Sequence, residues 1–134
     1  MGPKTDQGKY QIGEVAEAVG LSLRTIRYYG EEGLVVPSRT AGGFRLYTDA
    51  DIERFRLIMQ MKPLDFSLDE MRELLTIRER MDAGVGDEER RQLLERLAMY
   101  AAAGEQRCER LREQLGIAEA FTGDLRRDVT RRQP

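Results

Sequence analysis

Arginine and tyrosine side chains recur between residues 22 and 47, and their spacing suits contact with a polyanion. Arg24, Arg27 and Tyr28 would share one face of a helix, because residues three and four apart are neighbours there. A guanidinium can bond a guanine base through two donors, and a tyrosine hydroxyl can donate to a phosphate oxygen. Four arginines against two glutamates give this segment a net charge of +2. The pattern predicts a nucleic-acid-binding surface.

The elements that would position these side chains follow from apolar spacing and helix caps. An apolar stripe over residues 12–19 predicts a first helix, which Gly20 ends. Ser22 is the expected N-cap of a second helix, from residue 23 to about residue 32. Glycines within residues 35–47 then predict a β-hairpin.

Two further helices follow, and each opens with a capping box. Thr48 begins a helix that runs to about Lys62, where Pro63 interrupts it. Ser67 begins another, which runs to about Met81. This order of elements predicts a small helical unit with one hairpin.

The last helix is predicted from residue 87 to about residue 121, and its core-type positions alternate in steps of three and four. Such a heptad seam, kept over more than three heptads, is typical of a coiled coil. The seam consists of Leu94, Leu97, Ala101, Gly104, Cys108, Leu111, Leu115 and Ala118. Because small residues lie at its middle, where two helices could approach closely, we expect an antiparallel homodimer. A helix folded back on its own domain is the alternative, which the length of the seam disfavours.

Composition excludes several classes of protein. The 134-residue chain has a formal net charge of −2, so the basic segment is a local feature. One cysteine and no histidine exclude a disulfide framework and a four-ligand zinc site built by one chain. No apolar run approaches the roughly 20 residues of a membrane span, and the N-terminus lacks the apolar core of a secretory signal. We expect a cytoplasmic protein with no cofactor, no metal and, since no nucleophile lies beside an evident base, no enzymatic activity.

One order of motifs is specific in combination. The chain reads RTIRYYGEEGL, then P-S-R, then the hairpin GGFRLY, then FSLDEMRELL and a long helix. In this order it closely resembles the MerR family of bacterial transcription regulators over about residues 10–120. The resemblance implies a mainly α fold: a winged helix-turn-helix head whose wing is a small β-hairpin, a helix pair, and a long C-terminal antiparallel coiled-coil dimerisation helix.

The resemblance also implies a domain organisation and a function. Residues 1–9 would be a flexible N-terminus, residues 10–82 the DNA-binding head with the third and fourth helices, residues 87–121 the dimerisation helix, and residues 122–134 a short disordered tail. Such a homodimer would bind a pseudo-palindromic double-stranded promoter and control transcription by distorting the DNA. RNA polymerase would be affected indirectly at the promoter.

The second helix would read the bases. Arg24 and Thr25 lie at its start, where side chains reach base edges, and the Thr25 methyl group could pack on thymine. Tyr28 is expected to contact a phosphate or sugar. With the wing included, the candidate DNA-binding residues are Arg24, Thr25, Arg27, Tyr28, Ser38, Arg39, Gly43, Arg45 and Tyr47.

The hairpin would hold the flanking phosphates. Arg39, Arg45 and Tyr47 resemble the wing contacts of the family, and Gly43 would let the tip approach the DNA closely. Ser38 is either a phosphate donor or part of a surface turn. Because apolar residues alternate with Arg45 and Tyr47, one of these pairs is expected to face the core and the other the DNA.

Two positions depart from the family pattern. Gly30 stands where members usually carry an acid, and Asp65 stands where they usually have glycine before Phe-Ser. The first departure is expected to loosen the end of the second helix. The second is expected to alter the link between the third and fourth helices.

The identity of an effector stays unknown at this stage. Metal-sensing members carry cysteines near the start of the long helix and in a following loop, whereas this chain has only Cys108, in the middle of the helix. Cys108 is either a redox sensor or, as we favour, a small buried hydrophobe. The methionines either line an apolar ligand cavity or, as we favour, fill the core; they include Met59, Met61, Met71, Met81 and Met99. The alternative functions are a regulator that senses a small apolar or cationic molecule or redox state, and a dimeric helical protein-interaction adaptor.

Overall fold

The protein, described here by a computed structural model over residues 8–134, is mainly helical with one small hairpin. Its helices are α1 Ile12–Val19, α2 Leu23–Glu31, α3 Asp49–Met61, α4 Leu68–Ala83 and α5 Asp87–Arg132. The hairpin pairs β1, Ser38–Arg39, with β2, Arg45–Leu46, in an antiparallel ladder. The chain divides into two compact units, of which the first ends at Val85 and the second begins at Gly86.

The helix-turn-helix begins and ends where local chemistry dictates. Gln11 and Glu14 form a capping box at the start of α1, and Gly20 ends that helix with a left-handed φ of 73°. The Ser22 side chain accepts a hydrogen bond from the Thr25 amide at 3.1 Å, as predicted for the N-cap of α2. The predicted helix-turn-helix is therefore confirmed.

The core of the first unit is built around Phe55, which is completely buried. The Tyr29 ring of α2 lies 6.4 Å from the Phe55 ring, and the Tyr47 ring lies 6.1 Å from it. Burying one large apolar side chain contributes roughly 1.5–3 kcal/mol, so these rings fix α2 and the wing onto α3.

The segment before α1 is anchored to the wing and to α3. Of the predicted flexible segment 1–9, residues 1–7 lie outside the described part of the chain. Lys9, however, donates its backbone N–H to the Tyr47 carbonyl at 2.8 Å and pairs with Asp49 at 2.8 Å. The Tyr10 hydroxyl donates to Asp49 at 2.7 Å, and the bonds from Lys9 and Tyr10 lower the pKa of that carboxyl. Lys9 therefore contacts both the residue after the wing and the first turn of α3.

The link between α3 and α4 explains one departure from the family pattern. Both predicted capping boxes form, from Thr48 with Asp51 and from Ser67 with Glu70. A 3-10 turn, Lys62–Leu64, follows α3, and Asp65 then takes a left-handed φ of 63°. Glycine is the residue that adopts this conformation without strain, and Asp tolerates it better than most others.

α5 is longer than the sequence predicted. The helix continues through residues 122–132, so the predicted end near residue 121 and the predicted disordered tail are wrong. Local interactions hold this part: Thr122 donates to the Ala118 carbonyl at 2.9 Å, and Asp124 pairs with Arg127. At 1.5 Å per residue its 46 residues extend about 70 Å.

The apolar side chains of α5 remain exposed in the single chain. Leu94, Leu111 and Leu115 of the predicted seam are 42–57% exposed, whereas Gly104 is buried and Cys108 is a half-buried free thiol. The added part of the helix presents Phe121, Leu125 and Val129 as well, each close to half exposed or more. No helix within residues 8–134 is long and apolar enough to cross a membrane.

The methionines do not gather in one place. Met61 and Met71 belong to the core of the first unit, whereas Met59 and Met99 are exposed. This arrangement fits core filling better than a shared ligand cavity.

Candidate nucleic-acid interface

Burial of one side of α2 turns its basic side outward. Ile26 and Tyr29 are buried against the core, at 0% and 3% exposure. Arg24, Arg27 and Tyr28 are exposed as a result, because they lie on the opposite side of the helix. The predicted common face of these three residues is therefore present.

The wing is a tight hairpin whose strands have two residues each. Arg39 lies directly opposite Arg45, and Ser38 lies opposite Leu46. At the tip, Gly43 adopts a left-handed φ of 87° and donates its N–H to the Thr40 carbonyl at 2.9 Å. A side chain with a Cβ would be strained there, so glycine suits this turn.

Three arginines from α2 and the wing converge on one surface. Arg27, Arg39 and Arg45 all line a cleft of about 250 Å³, together with Gly30, Glu31, Val36, Pro37 and Tyr47. The same three arginines line a neighbouring cleft of about 440 Å³, which also includes Gln11, Ile12, Gly43 and Phe44. The hairpin thus brings β1 and β2 charges beside the exposed face of α2.

Acidic groups neutralise this surface only in part. Arg39 donates to the Gly43 carbonyl at 3.1 Å, which aligns its guanidinium along the wing without neutralising it. Within residues 8–134, Arg24, Arg27 and Arg45 make no hydrogen bond or ion pair. Glu31 is the acidic side chain that lines the first cleft. Such a surface is suited to bind an anionic backbone.

The structure contradicts the exposed position predicted for Tyr47. Its side chain is 1% exposed and packs on Phe55, and burial raises the pKa of its hydroxyl, with Arg45 opposing. The backbone explains this position, since Tyr47 pairs with Tyr10 in an isolated antiparallel bridge. Tyr47 therefore forms a wall of the first cleft and is mainly a core residue.

The predicted pairing of wing side chains is also wrong. Phe44 is 70% exposed at the tip and Leu46 is half-buried, so these two do not face the core together. Phe44 precedes β2 and belongs to the turn, where strand alternation does not apply. In the sequence, Phe44 directly follows two glycines, and this position next to a tight turn could have indicated that Phe44 lies at the exposed tip.

Two predicted contacts have hydroxyl groups that already make hydrogen bonds. The Thr25 hydroxyl accepts from the Ser22 hydroxyl at 2.9 Å, which leaves the Thr25 methyl group as its part for apolar contact. The Ser38 hydroxyl donates to the Leu46 carbonyl at 3.3 Å, across from β1 to β2, so Ser38 belongs to a strand of the wing and not to the predicted surface turn.

Comparison with known proteins identifies the family. Residues 10–77, which are half of the chain, match the MerR HTH family regulatory protein model, and residues 52–116 match the model described as MerR, DNA binding. The chain belongs to the MerR family. The resemblance inferred from the motifs is thereby confirmed.

Individual relatives agree with this assignment. The MerR-family chain is 46% identical over 70 residues to the HTH-type transcriptional regulator ZntR of Escherichia coli K12, covering 52% of this chain and 50% of that protein. It is also similar in structure to the N-terminus of MtaN, the Bacillus subtilis multidrug transporter activator. That match has a TM-score of 0.53 and 30% identity, and it covers 90% of this chain and 98% of the other. The fold is shared with HiNmlR, a MerR family regulator lacking the sensor domain, bound to promoter DNA (TM-score 0.67, 22% identity, 90% and 93% coverage). The matches cover from 26% to 61% of the length of the curated relatives.

Proposed function

We propose that this MerR-family chain is a transcription regulator that binds a pseudo-palindromic promoter duplex as a homodimer. The convergence of Arg27, Arg39 and Arg45 on one surface supports DNA binding most directly. A helix face and a wing that share an excess of positive charge can contact a groove and the phosphates beside it. The structure of HiNmlR on promoter DNA, which has the same fold, is consistent with this use of the fold.

In the proposed complex, α2 lies in the major groove and the wing lies on the adjacent backbone. Arg24 and the Thr25 methyl group would contact base edges from the start of α2. Arg27 and Tyr28, one turn further along, would contact phosphates or sugars. Arg39 and Arg45 would hold the phosphates beside the wing, where the glycine tip allows a close approach.

The exposed seam of α5 supports the homodimer. Leucines that are about half exposed along a heptad repeat need a partner helix, and a second copy carries the same repeat. The first turn of α5 is acidic, with Asp87, Glu88 and Glu89, whereas its last turn contains Arg131 and Arg132. A parallel pair would place these like charges together at each end, which an antiparallel pair avoids.

Two linked heads would then act on the DNA between them. Recognition helices in successive major-groove segments, with wings that pull on the backbone, can bend or untwist a duplex. Transcription would be controlled through this distortion in the cytoplasm, with RNA polymerase affected indirectly. The family relationship supports this mechanism.

Selection from a randomised duplex library on the purified full chain tests the proposal. We expect the enriched sequences to have a dyad, and we expect affinity for them to fall steeply with rising salt because phosphate contacts release counterions. Energy transfer between dyes at the duplex ends should show distortion in the complex. A protein-interaction adaptor would enrich no sequence and show no salt-dependent duplex binding, and that outcome would overturn the proposal.

A further inference from the structure

Two arginines of the first unit contact protein backbone at the end of α2. Arg54 belongs to α3 and Arg72 belongs to α4. Their acceptors are the carbonyl groups of Leu34 and Glu32, which lie just beyond the last residue of the recognition helix. These bonds join parts of the chain 20 and 40 residues apart.

Arg54 holds one carbonyl with two donors. Its Nε donates to the Leu34 oxygen at 3.0 Å, and its Nη2 donates to the same oxygen at 2.5 Å. The remaining Nη1 pairs with Glu79 of α4. The Arg54 side chain is only 21% exposed, so its guanidinium is directed to partners within the first unit rather than to solvent.

Arg72 holds the neighbouring carbonyl. Its Nη2 donates to the Glu32 oxygen at 2.5 Å, and its Nη1 donates to Asp69 at 2.7 Å, one turn earlier in α4. The position of each guanidinium is therefore determined by a carboxylate of α4 as well as by its own helix.

The end of α2 has a physical need for these donors. The last carbonyl groups of a helix lack partners within the helix, and positive charge there is favourable. α2 has no basic residue in its last turn and instead ends with Glu31 and Glu32. The last carbonyl groups of α2 already accept backbone N–H groups, that of Tyr28 from Glu32 and that of Tyr29 from Leu34. Arg54 and Arg72 therefore supply the positive charge at this end through the carbonyl groups just beyond the helix, and they also fix the path of the buried Leu34 toward the wing.

We infer that Arg54 and Arg72 are positioning residues for DNA binding, which set the direction of the recognition helix and the start of the wing without touching DNA. This inference rests on the proposed function. The bonds connect the segment between α2 and the wing to α3 and α4, so a displacement of these helices would be transmitted to that segment and through it to α2 and the wing. Lysine, with one nitrogen, cannot hold the Leu34 carbonyl and Glu79 in the same way as the arginine fork.

Arg54→Met and Arg72→Met test the inference, with Arg56→Met as the matched control. Arg56 lies in the same helix as Arg54 and has the same charge, but it is 50% exposed and pairs only with Glu53 among the partners described, at 3.4 Å. The probe is the duplex enriched by selection on the parent protein. We expect each positioning variant to bind it about ten-fold more weakly, as for loss of a charged hydrogen bond, and the control to bind within about two-fold of the parent.

The salt dependence separates positioning from direct contact. Loss of a phosphate contact lowers the salt slope by about 0.9, whereas Arg54→Met and Arg72→Met should keep the slope of the parent. Amide exchange in the free variants should be faster at Leu34 and Val35, whose N–H groups bond the Tyr29 carbonyl. A lowered slope, or affinity equal to that of the control, would overturn the inference.

The inference can still be tested if a methionine variant folds poorly. Binding is measured only where circular dichroism shows a folded protein, and Arg54→Lys, which keeps the charge, should still bind several-fold more weakly than the parent. If Arg54→Lys binds like the parent, charge alone is sufficient and the positioning role is wrong. Failure of the parent itself to bind any duplex would instead reject the proposed function.

Discussion

Arg39 and Arg45 lie directly opposite each other in the wing, although like charges across a strand pair destabilise a sheet. Arg27 of α2 lines the same cleft, so three guanidinium groups share a small surface. This arrangement is unfavourable in the free protein and becomes favourable when phosphates lie among the charges. Binding therefore accounts for the cluster better than folding does.

Arg45→Ala should weaken binding to all duplex sequences alike and lower the salt slope by about one. The free energy of unfolding should stay constant or rise by roughly 0.2–1 kcal/mol, because the variant relieves a like-charge pair. Titrations over a series of salt concentrations measure the slope, and Arg56→Ala is the control for loss of one positive charge. A variant with the slope of the parent would show that Arg45 does not contact phosphate.

Arg24→Ala should instead reduce discrimination. A bidentate contact to guanine contributes about 1–3 kcal/mol of preference at one base pair, so the loss should be confined to that position. Competition with duplexes altered at one base pair at a time measures it. Uniform weakening at all positions would assign Arg24 to the backbone rather than to a base.

At the scale of elements, caps and turns determine where the helices begin and end. The capping boxes at Thr48 and Ser67 and the left-handed Gly20 lie where the sequence predicted them. The end of α5 was predicted too early, although Leu125 and Val129 continue the seam of Ala118 with only Thr122 polar between them. Ion pairs three residues apart, such as Asp128 with Arg131, accompany the helix there, and these are also visible in the sequence.

Asp65→Gly should raise the free energy of unfolding by up to about 1 kcal/mol, because a left-handed φ strains a side chain with a Cβ. Gly20→Ala is the matched control, because it adds a Cβ at a left-handed position where Asp65→Gly removes one. Gly20 has a φ of 73° with open space around its Cβ direction, so alanine there should lower stability by about 1 kcal/mol through strain alone. Urea unfolding measures both. If Asp65→Gly is destabilising, the link between α3 and α4 does not have the geometry described.

At the scale of the whole molecule, the proposed dimer connects the exposed seam to the spacing of two heads. Leucines exposed by about half along α5 are unfavourable in water unless a second helix covers them. A pseudo-palindromic target requires two heads related by a twofold axis, which an antiparallel helix pair provides.

Leu111→Arg should convert the dimer to a monomer and abolish tight binding to a dyad sequence, because it places a charge in the seam. Ile117→Arg is the matched control, since Ile117 is 73% exposed and lies outside the predicted seam. Sedimentation equilibrium measures the mass of both variants. Dissociation by the control, with the Leu111 variant still dimeric, would show that another face of α5 forms the interface.

Helix orientation can be tested through Cys108. In an antiparallel pair centred near Gly104, the two copies of Cys108 lie apart, so mild oxidation should not cross-link the parent. The variant Glu105→Cys with Cys108→Ser should form a disulfide, because positions near the centre of an antiparallel pair face each other. Non-reducing gels distinguish the two. Efficient cross-linking of the parent would indicate parallel helices.

The sequence by itself determined the helix starts and the exposed face of α2, because each depends on residues within a few positions of one another. It also determined the basic segment and the family, because composition and the order of motifs can be read without knowing any contact. The tertiary structure alone decided that Tyr47 is buried and that three arginines from α2 and both wing strands share one surface. It also decided that Arg54 and Arg72 hold the end of α2. The Arg54 and Arg72 bonds join residues 20 and 40 positions apart, and all of these features depend on how separate elements pack around Phe55.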